Sequence, residues 1–122
     1  MRTFVVALAL ASCTHACLAA PTPAPVRAEI DAVLGRLQAS GCEFNRNGSW
    51  YKAAEAKTHL LRKLEYLEGN TTLQSTEQFI ELGASTSSLS GQPYLVKCGN
   101  TAPVESKKWL STPKRLGAHR GR

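Results

Sequence analysis

Glu55, His59 and Lys63 follow one another at four-residue steps in the stretch from residue 44 to residue 63, FNRNGSWYKAAEAKTHLLRK. In a helix this spacing places neighbouring side chains on one face, with their Cβ atoms about 5–6 Å apart. A carboxylate that orients an imidazole, which in turn removes a proton from a hydroxyl, is the machinery of a serine hydrolase. Ser85, Ser87, Ser88 or Ser90, in a serine-rich stretch further along the chain, could supply the nucleophile, and Ser88 is taken as its representative. Glu55, His59 and Ser88 are therefore the candidate catalytic residues.

Two features weigh against catalysis and against metal binding. Hydrolases of the α/β type carry the nucleophile in a Gly-x-Ser-x-Gly turn, and the chain contains no such pattern. Zinc is usually held by at least three protein ligands, whereas Glu55 and His59 offer two. The other histidines, His15 and His119, lie near the two ends of the chain. We therefore expect no metal and no cofactor, and the sequence leans away from an enzyme.

A binding role suits the same residues better. The segment SGQPY, residues 90–94, has the composition of loops that make adaptable polar contacts around a rigid aromatic anchor. Its S-G-x-x-Y spacing is similar to the inhibitory loop of some periplasmic lysozyme inhibitors, which makes such an inhibitor an alternative. In the other interpretation the serines satisfy turn backbone groups and Tyr94 packs inward. The candidate binding residues are Arg46, Tyr51, His59, Lys63, Ser85, Ser88, Ser90 and Tyr94.

The first elements that must position these residues are a helix and a hairpin. Apolar residues recur at three- and four-residue steps from Val26 to Leu37, which predicts a helix that Gly41 closes. The following segment CEFNRNGSWY, residues 42–51, predicts a β-hairpin. Its Asn-Gly pair favours a type I′ turn, and the aromatic residues after the turn favour a strand.

Two further helices and a strand complete the predicted fold. A second helix is expected over residues 52–68, with its apolar stripe at Ala53, Ala56, Leu60, Leu64 and Leu67. Ser75 and Gln78 form the pattern of a capping box, which predicts the start of a third helix. Residues 94–98 alternate as a last strand. We expect a small, mostly helical α+β fold with about three helices, a short antiparallel hairpin or sheet, and one disulfide.

The cysteines and the N-terminal segment indicate export. Arg2, an apolar run over residues 4–11 and small residues near Ala20 are typical of a signal peptide, here residues 1–20. Because Cys13 and Cys17 belong to that segment, Cys42 and Cys98 remain as a pair that an oxidising compartment favours as a disulfide. The stretch LASC, residues 10–13, also resembles a lipobox, so a lipoprotein anchored at Cys13 is the alternative to a periplasmic or secreted protein.

The net charge of +6 is concentrated at the C-terminal end of the chain. Eight basic and eight acidic residues lie between residues 27 and 100, so the predicted single domain is neutral. A proline-rich linker is expected over residues 21–26, and a basic, disordered tail over residues 101–122. Since the domain itself carries no excess of positive charge, no nucleic acid is expected as a partner. The tail is a candidate for contact with an anionic membrane surface.

Two blocks of the sequence resemble a known family. They are C-x-F-x-R-N-G-x-x-Y-x-x-x-E-A-x-x-H-L-x-x-K, residues 42–63, and F-I…A-S-x-S-S-x-S-G-x-P-Y-x-V-x-C, residues 79–98. In this order they look like the YfeK-like domain of unknown function, found in small exported bacterial proteins. The resemblance implies a bacterial, periplasmic protein and implies no activity; the basic tail lies outside it. We expect a module that binds an unknown protein or a small polar ligand in the cell envelope.

Overall fold

The structure is a computed structural model that describes Thr3 and residues 20–119, with residues 113–119 described by their backbone alone. The rest of the predicted signal peptide, including Cys13, lies outside the described residues. The elements are α1 (Ala24–Ser40), β1 (Glu43–Arg46), β2 (Ser49–Lys52), α2 (Ala53–Asn70), α3 (Thr76–Gly83), β3 (Leu95–Lys97), β4 (Val104–Glu105) and α4 (Ser106–His119). In the part of the chain so described, no helix has the length and apolar character needed to cross a membrane.

The α+β prediction is confirmed, with one helix more than expected. The strands form a single antiparallel sheet in the order β2-β1-β3-β4. The hairpin turn lies at Asn47 and Gly48, both with positive φ, as the type I′ turn requires. The side chain of Asn45 supports the turn, since its Oδ1 accepts a hydrogen bond of 3.2 Å from the Gly48 amide. The hairpin therefore forms where the sequence predicts it.

The hydrophobic core lies between the helices and one face of the sheet. The apolar stripes of α1 and α2 are buried as predicted except at Val26 and Leu67, which are partly buried, and Phe44 of β1 and Val96 of β3 join them from the sheet. Gly41 closes α1 in the left-handed conformation, and the Ser75 hydroxyl caps α3 by accepting from the Gln78 amide at 3.0 Å. The residues that end α1 and begin α3 could therefore be predicted from the local sequence.

The predicted disulfide between Cys42 and Cys98 is confirmed. It joins the residue before β1 to the residue after β3, beside the register pair Glu43 and Lys97. The two central strands of the sheet are therefore held together covalently at one end. The bridge lies at the end of β3 opposite to the loop between α3 and β3, which carries the predicted serine cluster.

The prediction of an extended linker up to residue 26 is wrong for its second half. Helix α1 begins at Ala24, with Pro25 in its first turn. A proline is tolerated there because the amides of the first turn have no partner within the helix. The Thr22 hydroxyl and the guanidinium of Arg27 both bond Glu68 of α2, so the start of α1 is tied to the domain.

The prediction of a disordered tail from residue 101 is also wrong over most of its length. Val104 pairs with Val96 and adds β4 to the sheet edge, and α4 follows directly. Leu110 is only 1% exposed within the core. The Ser106 hydroxyl donates to the Ala84 carbonyl, and the Arg36 guanidinium lies 5.0 Å from the centre of the Trp109 ring. These contacts join residues that are far apart in the sequence. The tail has no helical or strand pattern of apolar residues from which they could be predicted.

Two helical glycines provide a matched test of the packing. An added Cβ at Gly35 meets nothing within 4 Å, whereas one at Gly83 would lie 2.9 Å from Leu67 and 3.1 Å from Phe79. We expect Gly35→Ala to raise the free energy of unfolding by up to about 1 kcal/mol, because alanine is the better helix former. Gly83→Ala should bring no gain, since overpacking offsets the same propensity. Urea denaturation of both variants measures the difference, and an equal gain at both sites would contradict the packing described.

Candidate functional site

One face of α2 lines a groove that contains most of the predicted site residues. Glu55 to Leu67 cover twelve helical steps, or about 18 Å. Two adjoining clefts make up this α2 groove. The hairpin cleft, of about 280 Å³, is lined by Arg46, Tyr51, Glu55, Thr58, His59 and Arg62. The α3 cleft, of about 440 Å³, is lined by His59, Arg62, Lys63, Tyr66, Leu67, Leu82 and Ser88.

A hydrogen-bonded cluster of four side chains lies where the two clefts meet. The Tyr94 hydroxyl lies 3.2 Å from His59 Nε2 and accepts a hydrogen bond of 3.4 Å from Lys63 Nζ. Lys63 Nζ also donates to Ser88 Oγ at 2.8 Å. Because the lysine can only donate, the tyrosine proton is free to be donated to His59. This assignment leaves Nε2 of a neutral His59 as the acceptor and its proton on Nδ1.

The electrostatics of the groove favour that neutral histidine. Burial, followed by the positive charges of Arg46, Lys63 and Arg62, lowers the pKa of His59 to about 4. Burial and Arg46 also lower the pKa of Lys63. Burial raises the pKa of Tyr94, against a smaller opposing effect of Arg46. The groove is therefore a region of positive potential in which adding one more positive charge is costly.

The cationic side chains of the groove, Arg46, Arg62 and Lys63, have no acidic partner in the part of the chain that is described. None of Arg46, Arg62 and Lys63 takes part in a salt bridge there; Arg46 instead lies 5.0 Å from the Tyr51 ring centre. Glu55 is the one carboxylate that lines either cleft. Its Oε1 accepts the Lys52 amide at 3.1 Å, which caps the start of α2.

Acidification is expected to destabilise the fold through His59. The pKa of its imidazole is 6.5 ordinarily and about 4 in the fold, so between these values the unfolded chain binds more protons. The contribution to stability is thus complete above about pH 6.5 and is lost as the pH falls toward 4. The charged groups facing the ring are Arg46, Arg62, Lys63 and Glu55.

Comparison with His59→Gln isolates this effect, because glutamine can still accept from Tyr94 but does not titrate. The unaltered protein should lose about 1–2 kcal/mol more unfolding free energy than the variant between pH 7 and pH 4. Urea denaturation at both pH values measures the loss. Equal losses in the two proteins would contradict the depressed pKa.

The three candidate catalytic residues do not form a hydrogen-bonded triad. Within residues 20–112, no hydrogen bond joins His59 to Glu55 or to Ser88. Glu55 caps α2, His59 is engaged by Tyr94, and Ser88 accepts from Lys63. Nor do the described residues include a group of three or more histidine, cysteine, aspartate or glutamate side chains placed to hold a metal.

The other predicted binding residues, Tyr94, Ser85 and Ser90, line neither cleft and belong to the packed interior and the loop framework. Tyr94 is 2% exposed, and its ring centre lies 5.1 Å from that of Phe44, so it packs inward rather than serving as an exposed anchor. Ser85 is buried and donates to the Ile80 carbonyl at 2.6 Å. Ser90 donates to Asn47 Oδ1 at 2.5 Å and ties the serine loop to the hairpin turn.

Sequence reasoning missed part of the groove. Arg62, Tyr66 and Leu82 line it but were not predicted as site residues. Arg62 lies three positions after His59 and Tyr66 lies seven, which are steps that return to the same helix face. Following the three- and seven-residue steps of one helix face from His59 would have found both. Leu82 comes from α3, and no local pattern indicates that it faces this groove.

This chain is similar to proteins whose function is not known. An uncharacterized protein, YfeK of Salmonella typhimurium strain LT2, is 43% identical to this chain over 70 residues. The match covers 55% of each protein, so the chain spans little more than half the length of this relative. No solved structure matches. The model of the family of unknown function DUF5329 matches residues 24–116, and the matched range includes β4 and much of α4.

The family match corrects the expectation that the basic tail lies outside the resemblance, since the matched range extends well past residue 101. It agrees with the structure, in which Leu110 belongs to the core. The resemblance to the YfeK-like domain is confirmed, and the chain belongs to the family of unknown function DUF5329.

Proposed function

We propose that this protein is an exported binding protein that holds an anionic group of its ligand in the α2 groove. The observation that carries the proposal is the set of three cations, Arg46, Arg62 and Lys63, which have no salt-bridge partner among the described residues and surround one neutral histidine. Placing like charges together without compensation is unfavourable for a fold. An incoming anion would relieve that repulsion.

The donors of the groove suit an oxyanion. Arginine presents several N–H groups in a planar fork that matches phosphate and carboxylate oxygens. The Arg62 side chain is exposed and makes no hydrogen bond within residues 20–112, so all of its donors are available. Lys63 has three donor hydrogens and uses two of them on Ser88 and Tyr94, which leaves one. Charge-assisted hydrogen bonds of this kind are the stronger class.

Binding is favoured over hydrolysis by the way the imidazole is used. A general base must reach the proton that it removes, and Nε2 of His59 already accepts from the Tyr94 hydroxyl. A pKa of about 4 also makes the imidazole a weak base at neutral pH. The cluster of Ser88, Lys63, Tyr94 and His59 accordingly resembles a framework that holds Lys63 in place.

Export is part of the proposal and is supported by the sequence of residues 1–20 and by the Cys42–Cys98 disulfide. Disulfides persist in oxidising compartments such as the periplasm. Fractionation of cells by osmotic shock tests this part. The protein is expected in the periplasmic fraction with its cysteines oxidised, and recovery in the cytosol with free thiols would contradict it.

Titration with inorganic phosphate tests the binding site. Arg62→Gln/Lys63→Gln removes two charges from the groove, and the matched control Lys107→Gln/Lys108→Gln removes two exposed charges from the start of α4. We expect the first variant to weaken phosphate binding by roughly tenfold or more, as followed by NMR, because each lost contact is charge-assisted. The control should bind as the unaltered protein does. Equal weakening in both variants would show a non-specific charge effect and contradict the proposal.

A further inference from the structure

The α3 cleft has an apolar wall beside its cationic side chains. Tyr66 is 69% exposed and Leu82 is 49% exposed, and both line this cleft together with the half-buried Leu67. Isolated exposed apolar side chains are ordinary on protein surfaces. Here three converge on one concave cleft from two different helices, α2 and α3. Such a concave apolar surface is typical of a ligand site.

The polarity of the groove changes in one direction along α2. Arg62 and Lys63 lie in the middle of the groove, and Tyr66 and Leu67 follow four residues later. One helical turn, about 5.4 Å, therefore separates the cationic side chains from the apolar ones. Leu82 of α3 adds a third apolar side chain to the lining of the same cleft. A ligand that fills both regions must carry its charge at one end.

From this arrangement we infer that the ligand is a small amphiphilic anion, a phosphomonoester head on a short alkyl chain. The inference rests on the proposed anion site and names its ligand class. The head lies at Arg62 and Lys63, and the chain lies along Tyr66, Leu67 and Leu82. Arg46 contributes further positive charge in the adjoining hairpin cleft, and three cations suit a doubly charged phosphate better than a singly charged carboxylate.

The size of the cleft favours a small molecule over a protein partner. Its volume of about 440 Å³ falls within the range of small-molecule sites. A stable protein interface commonly uses about 20–30 residues on each side. The apolar wall of the α3 cleft consists of three side chains, which suffice to cover a chain of several methylene groups.

A pair of alkyl phosphates separates the two parts of the site. We expect hexyl phosphate to bind the full-length protein roughly 10- to 100-fold more tightly than methyl phosphate, because each buried methylene contributes favourably. Tyr66→Ser/Leu82→Ser should abolish this difference between the two phosphates. Arg62→Gln/Lys63→Gln should weaken both. The altered apolar side chains are largely exposed, and circular dichroism verifies that each variant folds.

The outcomes distinguish this inference from the function on which it rests. Equal binding of methyl and hexyl phosphate by the unaltered protein would overturn the amphiphile and leave the anion site intact. Hexyl phosphate binding that survives Arg62→Gln/Lys63→Gln undiminished would overturn the anion site itself. Heptanoate, which has a similar chain, is expected to bind more weakly than hexyl phosphate; tighter binding would overturn the phosphate head. Binding of neither phosphate would overturn both proposals.

Discussion

Loss of the Cys42–Cys98 disulfide is expected to lower the free energy of unfolding by about 4 kcal/mol. The bridge closes a loop with a sequence separation of 56 residues, and in the chain-entropy model a loop of this size restricts the unfolded chain by about that amount. Domains of this size are stable by only about 5–15 kcal/mol. The reduced protein should therefore be only marginally stable.

Urea denaturation with and without a reductant measures this effect, and Cys42→Ala/Cys98→Ala repeats it without a reductant. Cys42 is buried, so the alanine variant also loses a little packing. Reductant should have no effect on that variant, which serves as the control. A loss below about 1 kcal/mol on reduction would contradict a structural role for the bridge.

Leu110→Ala is expected to lower the free energy of unfolding by about 2–4 kcal/mol. The leucine is fully buried in the core against α1 and α3, and truncation of such a side chain loses its burial and leaves a cavity. Its backbone carbonyl also accepts from Arg36 Nη2 at 3.2 Å. Trp109 beside it covers the Arg36 guanidinium, so the first turns of α4 complete the core.

Lys108→Ala is the matched control, because Lys108 is exposed and lies two positions away on the same helix. Thermal or urea unfolding of both variants gives the comparison, and the control should change stability by about 0.5 kcal/mol at most. If both variants were as stable as the unaltered protein, residues 106–112 would be a free tail as the sequence alone suggests, and the packed α4 would be wrong.

The parts of the fold that could be predicted are those with local signals. Asn47 and Gly48 define the hairpin through their own backbone preference, and Gly41 and Ser75 mark helix ends by capping chemistry. The stripes of α1 and α2 repeat at the helical period and are buried as expected. The disulfide was predicted from the expected export and from the two cysteines, Cys42 and Cys98, that remain outside the predicted signal peptide.

The parts that could not be predicted depend on contacts between distant segments. Leu110 and Trp109 lie in a basic, proline-containing stretch without a helical pattern of apolar residues. Their positions depend on contacts with Arg36 and with the core formed by α1 and α3. The same holds at the site. The Glu55 carboxylate accepts a hydrogen bond from the Lys52 amide and so caps its own helix. Leu82 lines the groove because α3 packs beside α2.

The pKa of His59, measured by NMR with and without sulfate, tests the central claim most directly. His59→Gln identifies its resonance among the three histidines of the chain. Burial of the ring, followed by the positive charges of the groove, lowers this pKa to about 4 in the free protein. The cationic groove predicts a rise of about one unit when sulfate binds beside the ring, since a nearby negative charge favours the imidazolium. A pKa near its ordinary value of 6.5 that sulfate does not change would contradict the groove as an anion site.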